Sequence, residues 1–199
     1  MTRPVRPAGR AALAVLALGL ATALVASGCD DSSDESAKPA ATGSSAPAEH
    51  AVETRVSWGR ITGKLSPDTR KRLAAQVGDL VDGWTAAAYL GGDYPRRDFA
   101  DAWPGFTSGA RQEAHGDRAL MSNQDLGDRI DGVTPHRSQV RLDVLAVRRH
   151  PVGVTAHVLL GFGTTGQVEK QVRVRGRLFL THTARGWKVF GYDVTKGAV

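Results

Sequence analysis

The chain of 199 residues contains one cysteine and six histidines. One thiol excludes an internal disulfide, and without a second there is no thiol and imidazole spacing for zinc, so an apolar core has to hold the fold. Catalytic and nucleotide signatures are missing too: no G-x-S-x-G, no P-loop, no H-E-x-x-H and no G-x-G-x-x-G after a strand. Gly161-Phe162-Gly163 ends a strand with no helix behind it, which reads as a turn and not a phosphate cradle. Long apolar runs are absent except for Ala11 to Ala26, 16 residues. As a helix it would reach roughly 24 Å, short of the ~20 residues that a permanent span needs. With 41% hydrophobic, 6% aromatic and 23% charged residues, the rest is a soluble globular chain with something attached, and collagen-like, coiled-coil and polytopic membrane classes are excluded. Arg outnumbers Lys by 20 to 6 and Ala reaches 28, the bias of a GC-rich bacterial genome, which does not bear on the fold.

Residues 1 to 28 are organised as a secretory leader: MTRPVRPAGR with Arg3, Arg6 and Arg10, then AALAVLALGLATALVA, then small residues. The only cysteine stands where the apolar run ends, in VASGC. This resembles the bacterial lipobox. The resemblance implies cleavage between Gly28 and Cys29, a diacylglyceryl group on Cys29, and a mature protein held at the outer face of the cytoplasmic membrane. Acyl chains contribute about 0.8 kcal/mol per buried CH₂, so a pair anchors stably where one would be marginal.

Residues 29 to 54 follow as lipidated cysteine and tether. DDSSDESAKPAATGSSAPAE has no large apolar side chain to offset the entropy of ordering, so the sequence predicts a disordered leash with a reach on the order of 25 to 30 Å. Charge is divided as +3 in the leader, −4 over residues 30 to 49 and +7 over residues 50 to 199. A basic domain beside a membrane attracts anionic lipids or envelope polymers, although charge of this size also serves solubility. Secretion and the lack of an aromatic-basic motif argue against nucleic acid. Residues 55 to 199 suit one domain, and no internal repeat is visible.

Ser66-Pro67-Asp68 starts a helix, with a capping hydroxyl and a proline at its first position. Leu73, Val77, Leu80, Val81, Trp84 and Ala88 share one face, and Gly91-Gly92 ends it after Leu90. Two further helices are expected, over Pro95 to Trp103 and Ser108 to Ser122. The period then falls to two. Strands are expected over Ser138 to Arg149, Val154 to Gly163, Val168 to Thr181 and Trp187 to Val194, joined by HPVG, TTGQ and HTARG, with a short additional strand at Arg55 to Ile61. The fold class that results is α+β, with N-terminal helices packed on a curved antiparallel four-stranded sheet.

This element order, with FADAWPGFT, RLDVLAV and RLFL…GWKVFGYDV, resembles the nuclear transport factor 2-like superfamily over residues 66 to 199. Within it the chain is similar to extracytoplasmic lipoproteins of actinobacteria and to membrane-anchored proteins associated with lipid-import systems. The resemblance implies a cone between helices and sheet, and an outer sheet face that carries dimer or partner contacts. It does not fix an activity, because the scaffold hosts isomerases, dehydratases, binding proteins and assembly modules.

Inward-facing residues are the ones to test for chemistry. Val154, Ala156, Val158, Leu160 and Phe162 share the apolar face, which turns His157 outward, as a solvated histidine. Asp193 shares parity with Trp187 and Val189 and is the one weak candidate for a carboxylate base inside the cone, where burial would raise its pKa. A rim position that caps or pairs is the competing reading. Trp84, Tyr89 and Trp103 are candidate pocket residues; if large side chains fill the cone, a substrate has nowhere to sit. Arg173, Arg175 and Arg177 alternate along one strand face and repel one another unless Asp143, Glu169 or an anionic partner lies alongside. No metal and no cofactor is expected. The function expected is a non-enzymatic accessory or binding module of the cell envelope, anchored through Cys29, its partner an envelope protein, anionic lipid or a second copy. The alternative is a small-molecule enzyme or binder, isomerase- or dehydratase-like, that uses the apolar cone.

Overall fold

A computed structural model of the protein describes residues 52 to 199; the leader 1 to 28, Cys29 and the tether as far as residue 51 lie outside the described residues. Alternating burial from Ile130 onward builds four long strands: β2 (Ile130–Val147), β3 (His150–Gly166), β4 (Gln171–Thr183) and β5 (Gly186–Ala198), each antiparallel to the next. β1 (Arg55–Thr62) pairs with β2 in parallel, and the five strands stand in sequence order.

The expected four-stranded antiparallel sheet packed with helices is therefore corrected. The sheet is five-stranded, mixed and dominant, with strands of 18 and 17 residues in β2 and β3. The reason lies in the connection: a parallel neighbour needs a crossover, and all the helical sequence between β1 and β2 serves as that crossover. Helix is correspondingly scarce. Residues 95 to 103 are not helical, and the expected helix over Ser108 to Ser122 breaks at Asp117 into α2 (Ser108–Gly116) and α3 (Arg118–Met121).

α1 (Pro67–Thr85) begins as its sequence dictates, with Ser66 Oγ accepting the Thr69 N–H at 3.2 Å. Leu73, Val77, Val81 and Trp84 are buried along one side. The helix does not run unchanged to Leu90. It widens into a π-helical turn at Ala86–Leu90, which leaves carbonyls to be satisfied from elsewhere. Arg96 Nη1 donates to Ala87 O at 2.9 Å and Gly91 O at 3.1 Å. Asn123, fully buried, donates its backbone N–H to Ala88 O and its Nδ2 to Tyr89 O, both at 2.9 Å. The Tyr94 hydroxyl donates to Tyr89 O at 2.8 Å. Arg96, expected within a helix over Pro95 to Trp103, is thus spent with Tyr94 on capping one.

One apolar cluster joins α1, Phe99, Trp103 and Phe106 to the inner residues of the sheet, among them Leu142, Ala156, Phe162, Leu178 and Val189. Loss of a side chain as enclosed as Leu178 costs about 2–5 kcal/mol by transfer and cavity terms. Lys196 on β5 also points inward. Its ammonium donates to Ala119 O at 2.9 Å, to Ser122 O at 2.7 Å and to the Asp125 carboxylate, and burial pushes its pKa down. The Lys196→Ala variant strands those acceptors and is expected to lose about 1–3 kcal/mol of stability in urea denaturation.

The connection between β2 and β3 is not HPVG. Val147 pairs with His150, and the turn is Arg148-Arg149, with φ of 49° and 68°. Pro151 and Gly153 lie within β3, beside a register shift at Leu145 and Ala146. Two central residues with positive φ define the type I′ hairpin turn, which favours Asn-Gly and disfavours residues bearing a Cβ. Replacing Arg148→Asn and Arg149→Gly together is expected to raise stability by about 1 kcal/mol, read as a higher urea midpoint at unchanged slope.

Candidate functional site

The three residues expected to line a pocket instead fill the space. Trp84, Tyr89 and Trp103 are 0%, 0% and 2% exposed. Tyr89 packs edge-on to Trp84 at 5.6 Å between centroids and lies 6.0 Å from Phe162; Trp84 lies 6.1 Å from Phe106. The Tyr89 hydroxyl donates to Leu120 O at 2.8 Å, and burial pushes its pKa well up. The Trp103 indole N–H donates to Met121 O at 3.2 Å. The Tyr89 hydroxyl and the Trp103 indole are thus spent on backbone carbonyls, while Trp84 is held by packing and its indole N–H has no hydrogen-bond partner among the described residues.

Asp193 lies on the other face. Trp187 and Val189 point into the core as expected, but the register between β4 and β5 shifts after Phe179 pairs with Gly191, because Phe190 is an extra residue on β5. A bulge reverses parity. Beyond it Tyr192 and Val194 face inward, and Asp193 faces out, opposite Arg177, whose guanidinium donates to its carboxylate. Asp193 as a base in an apolar cone is corrected on that ground.

The outer sheet face gathers most of the remaining polar chemistry. Arg141, His157, Arg177 and Asp193 stand directly opposite one another across β2 to β5. One step along, Asp143 accepts the Arg60 backbone N–H at 2.7 Å through Oδ1 and contacts His157 Nε2 at 2.9 Å through Oδ2. A carboxylate only accepts, so Nε2 carries the proton. β1 has a register shift between Trp58 and Ile61 that frees the Arg60 N–H, and Gly59 makes the approach feasible: a Cβ there would lie 2.0 Å from Asp143 Oδ1. His157 does face outward, but as half of an oriented pair. The Arg60 N–H first, with His157 and Arg141 assisting against partial desolvation, holds the Asp143 carboxyl below its ordinary range.

Both acids on this face near the arginine row are committed, Asp143 to Arg60 and His157, Asp193 to Arg177. Among the described residues neither Arg173 nor Arg175 has an ion-pair partner. Three adjoining depressions run over this end of the face, of about 460, 350 and 250 Å³. Arg55, Arg137, Arg141, Arg173 and Arg175 line them with His136 and His157, and no Asp or Glu side chain does. The first two share Leu159 and the last two share Arg173, so the basic band is continuous.

The opposite end of the same face is apolar. Leu145, Val147, Val152 and Phe190 are 50%, 50%, 45% and 54% exposed. Phe190 stacks at 6.4 Å on Phe179, and both border a groove of about 320 Å³ with Leu145, Gly153, Thr155 and Asp143. Sequence reasoning missed this end. The signal was present in Val144-Leu145-Ala146-Val147, where apolar residues occupy both parities at once, so that the outer face had to be apolar too. Among the described residues no group of three His, Cys, Asp or Glu side chains is placed to hold a metal ion, and no helix is long and apolar enough to cross a membrane.

The arrangement suits recognition of a partner that is anionic opposite the band and apolar opposite the groove. Comparison with protein-family models, curated proteins and solved structures found no match for the chain.

Because the folded state depresses the Asp143 pKa, the stability it contributes is present above the unfolded value of about 3.8 and is lost as pH falls through and below it. Wild type is expected to lose stability between pH 6 and pH 3 more steeply than Asp143→Asn, which has no such carboxyl to protonate. Urea denaturation at both pH values measures the difference, and parallel losses would remove the assignment.

Proposed function

We propose that the chain is an extracytoplasmic lipoprotein, anchored through acylated Cys29 at the outer face of the cytoplasmic membrane, whose domain is a binding module of the cell envelope. One observation carries the reading: the sole cysteine follows VASG at the end of the only long apolar run, behind Arg3, Arg6 and Arg10. A thiol in that place is what lipid transfer and cleavage before Cys29 require. A second observation is compatible with the binding role. The core between α1 and the sheet is filled by Trp84, Tyr89 and Phe162, while unpaired cations and exposed apolar side chains collect on the outer face. The partner is an envelope protein, an anionic lipid or a second copy of the chain, met through Arg173, Arg175 and their neighbours. The cone-using alternative loses its support, since Asp193 is turned away from the core.

Metabolic labelling with an alkyne fatty acid, followed by membrane fractionation, tests the anchor. Wild type is expected to take up label and to sediment with membranes, and Cys29→Ser to lose all label and to remain an uncleaved precursor. Label retained in Cys29→Ser, or none in wild type, would refute the reading.

A further inference from the structure

The tip of the β2–β3 hairpin carries a residue choice that hairpin chemistry does not explain. Arg148 and Arg149 both hold positive φ, 49° and 68°, where Asn-Gly would fit without strain. Around them stand Val147, His150 and Val152, all exposed, and no carboxylate occurs from Val144 to Val152. Leu145 and Phe190 continue the exposed apolar surface away from the tip, and Lys188, paired with Thr181 on the outer face, adds charge at the same end. Val147 and Val152 beside the tip, with Leu145 and Phe190 on one groove behind it, are four large apolar side chains about half exposed at one end of the sheet, unlike the single exposed residues normal on a soluble surface.

We propose that this tip docks on an anionic phospholipid bilayer. The inference rests on the lipoprotein reading, which puts such a bilayer within reach. Charge complementarity selects the occupant. Guanidinium groups fork onto phosphate oxygens, and the valine side chains beside them enter the boundary between headgroups and acyl chains. A hairpin apex presents both to a plane at once. The geometry of the chain permits it: 25 residues separate Cys29 from Arg55, a contour of at most about 90 Å at ~3.3–3.6 Å per residue. β1 runs its 8 residues from the Arg55 end of the sheet toward the tip, on the order of 26 Å. The anchor's attachment and the tip are thus at opposite ends of the sheet, and the chain between is long enough for both to meet one membrane.

The test uses the full lipidated protein carrying Val152→Cys, whose thiol is the only free one once Cys29 is acylated. It is labelled with an environment-sensitive fluorophore and reconstituted into vesicles of phosphatidylcholine alone or with phosphatidylglycerol, each containing a lipid-borne quencher. Quenching is expected to be at least about twofold greater in the anionic vesicles. The added Arg148→Asn and Arg149→Gly pair, whose turn is better matched than the native one, is expected to abolish that difference while the protein stays folded by circular dichroism. Equal quenching in both vesicle types, or none, overturns the proposal. So does quenching that rises with protein density in the vesicle and survives the pair of substitutions, which would mark the tip as a contact between copies. Flotation of the same samples separates the two readings: protein that floats without tip quenching refutes the tip alone, and protein that fails to float refutes the anchor and with it the tip.

Discussion

Closure of the space between α1 and the sheet is the constraint on which the other features depend. Trp84, Tyr89 and Phe162 meet there with ring centroids about 6 Å apart and no exposure to solvent. To bring Tyr89 onto Phe162 the helix widens into a π turn, and the widened turn exposes carbonyls that would cost about 1–3 kcal/mol each if left unmet. Arg96, Tyr94 and Asn123 meet them, which fixes the path of the chain from Gly91 to Asn123. Lys196 then ties the last strand to the carbonyls of that same path. A core completed in this way leaves the outer sheet face as the place where groups are available to other molecules.

Which groups appear on that face is decided by irregularities and not by regular pairing. Without the extra residue at Phe190, Asp193 would share the core side with Trp187, and Tyr192 would lie outside. With it, Asp193 neutralises Arg177, and Tyr192 reaches Asp117 at 2.8 Å from the inner side. The shift in β1 does the same for Asp143, by offering it the N–H of Arg60. The Phe190 bulge brings Asp193 onto Arg177 alone, and the β1 shift commits Asp143 to Arg60 and His157. The consequence is a band in which Arg173 and Arg175 keep their charge uncompensated.

Local signals carried what depends on neighbours along the chain. The Ser66 cap, the stripe of α1 and the alternation that turns His157 outward are all set within a few residues, and they could be read. The lipobox likeness is local in the same sense. Three other features depend on residues far away. The parallel pairing of β1 with β2 is specified by where the crossover returns, which no period reveals. Pro95 to Trp103 has acceptable helix composition, but its polar groups are claimed by the π turn and by Gly127 O, which accepts the Arg96 N–H at 2.6 Å. The parity reversal at Phe190 follows from the pairing of Gly191 with Phe179 and of Val189 with Leu180, which leaves Phe190 as the extra residue. Of the candidate surface, the arginines were read from their alternation, whereas the apolar end, signalled in Val144 to Val147 by apolar residues of both parities, was missed.

A basic, partly apolar hairpin tip would be a weak ligand for a membrane if the domain diffused freely. Tethering changes that arithmetic, because a linked second contact competes against an effective concentration in the millimolar range and not against dilution into bulk. Contacts of about 4 kcal/mol, a millimolar affinity too small to hold a dilute free protein, then suffice to orient an anchored one. The strain of the Arg148-Arg149 turn, about 1 kcal/mol relative to Asn-Gly, is carried by the folded hairpin whether it is docked or free. Under the proposal the tip therefore exchanges between a docked and a free state while the anchor keeps the domain near the surface.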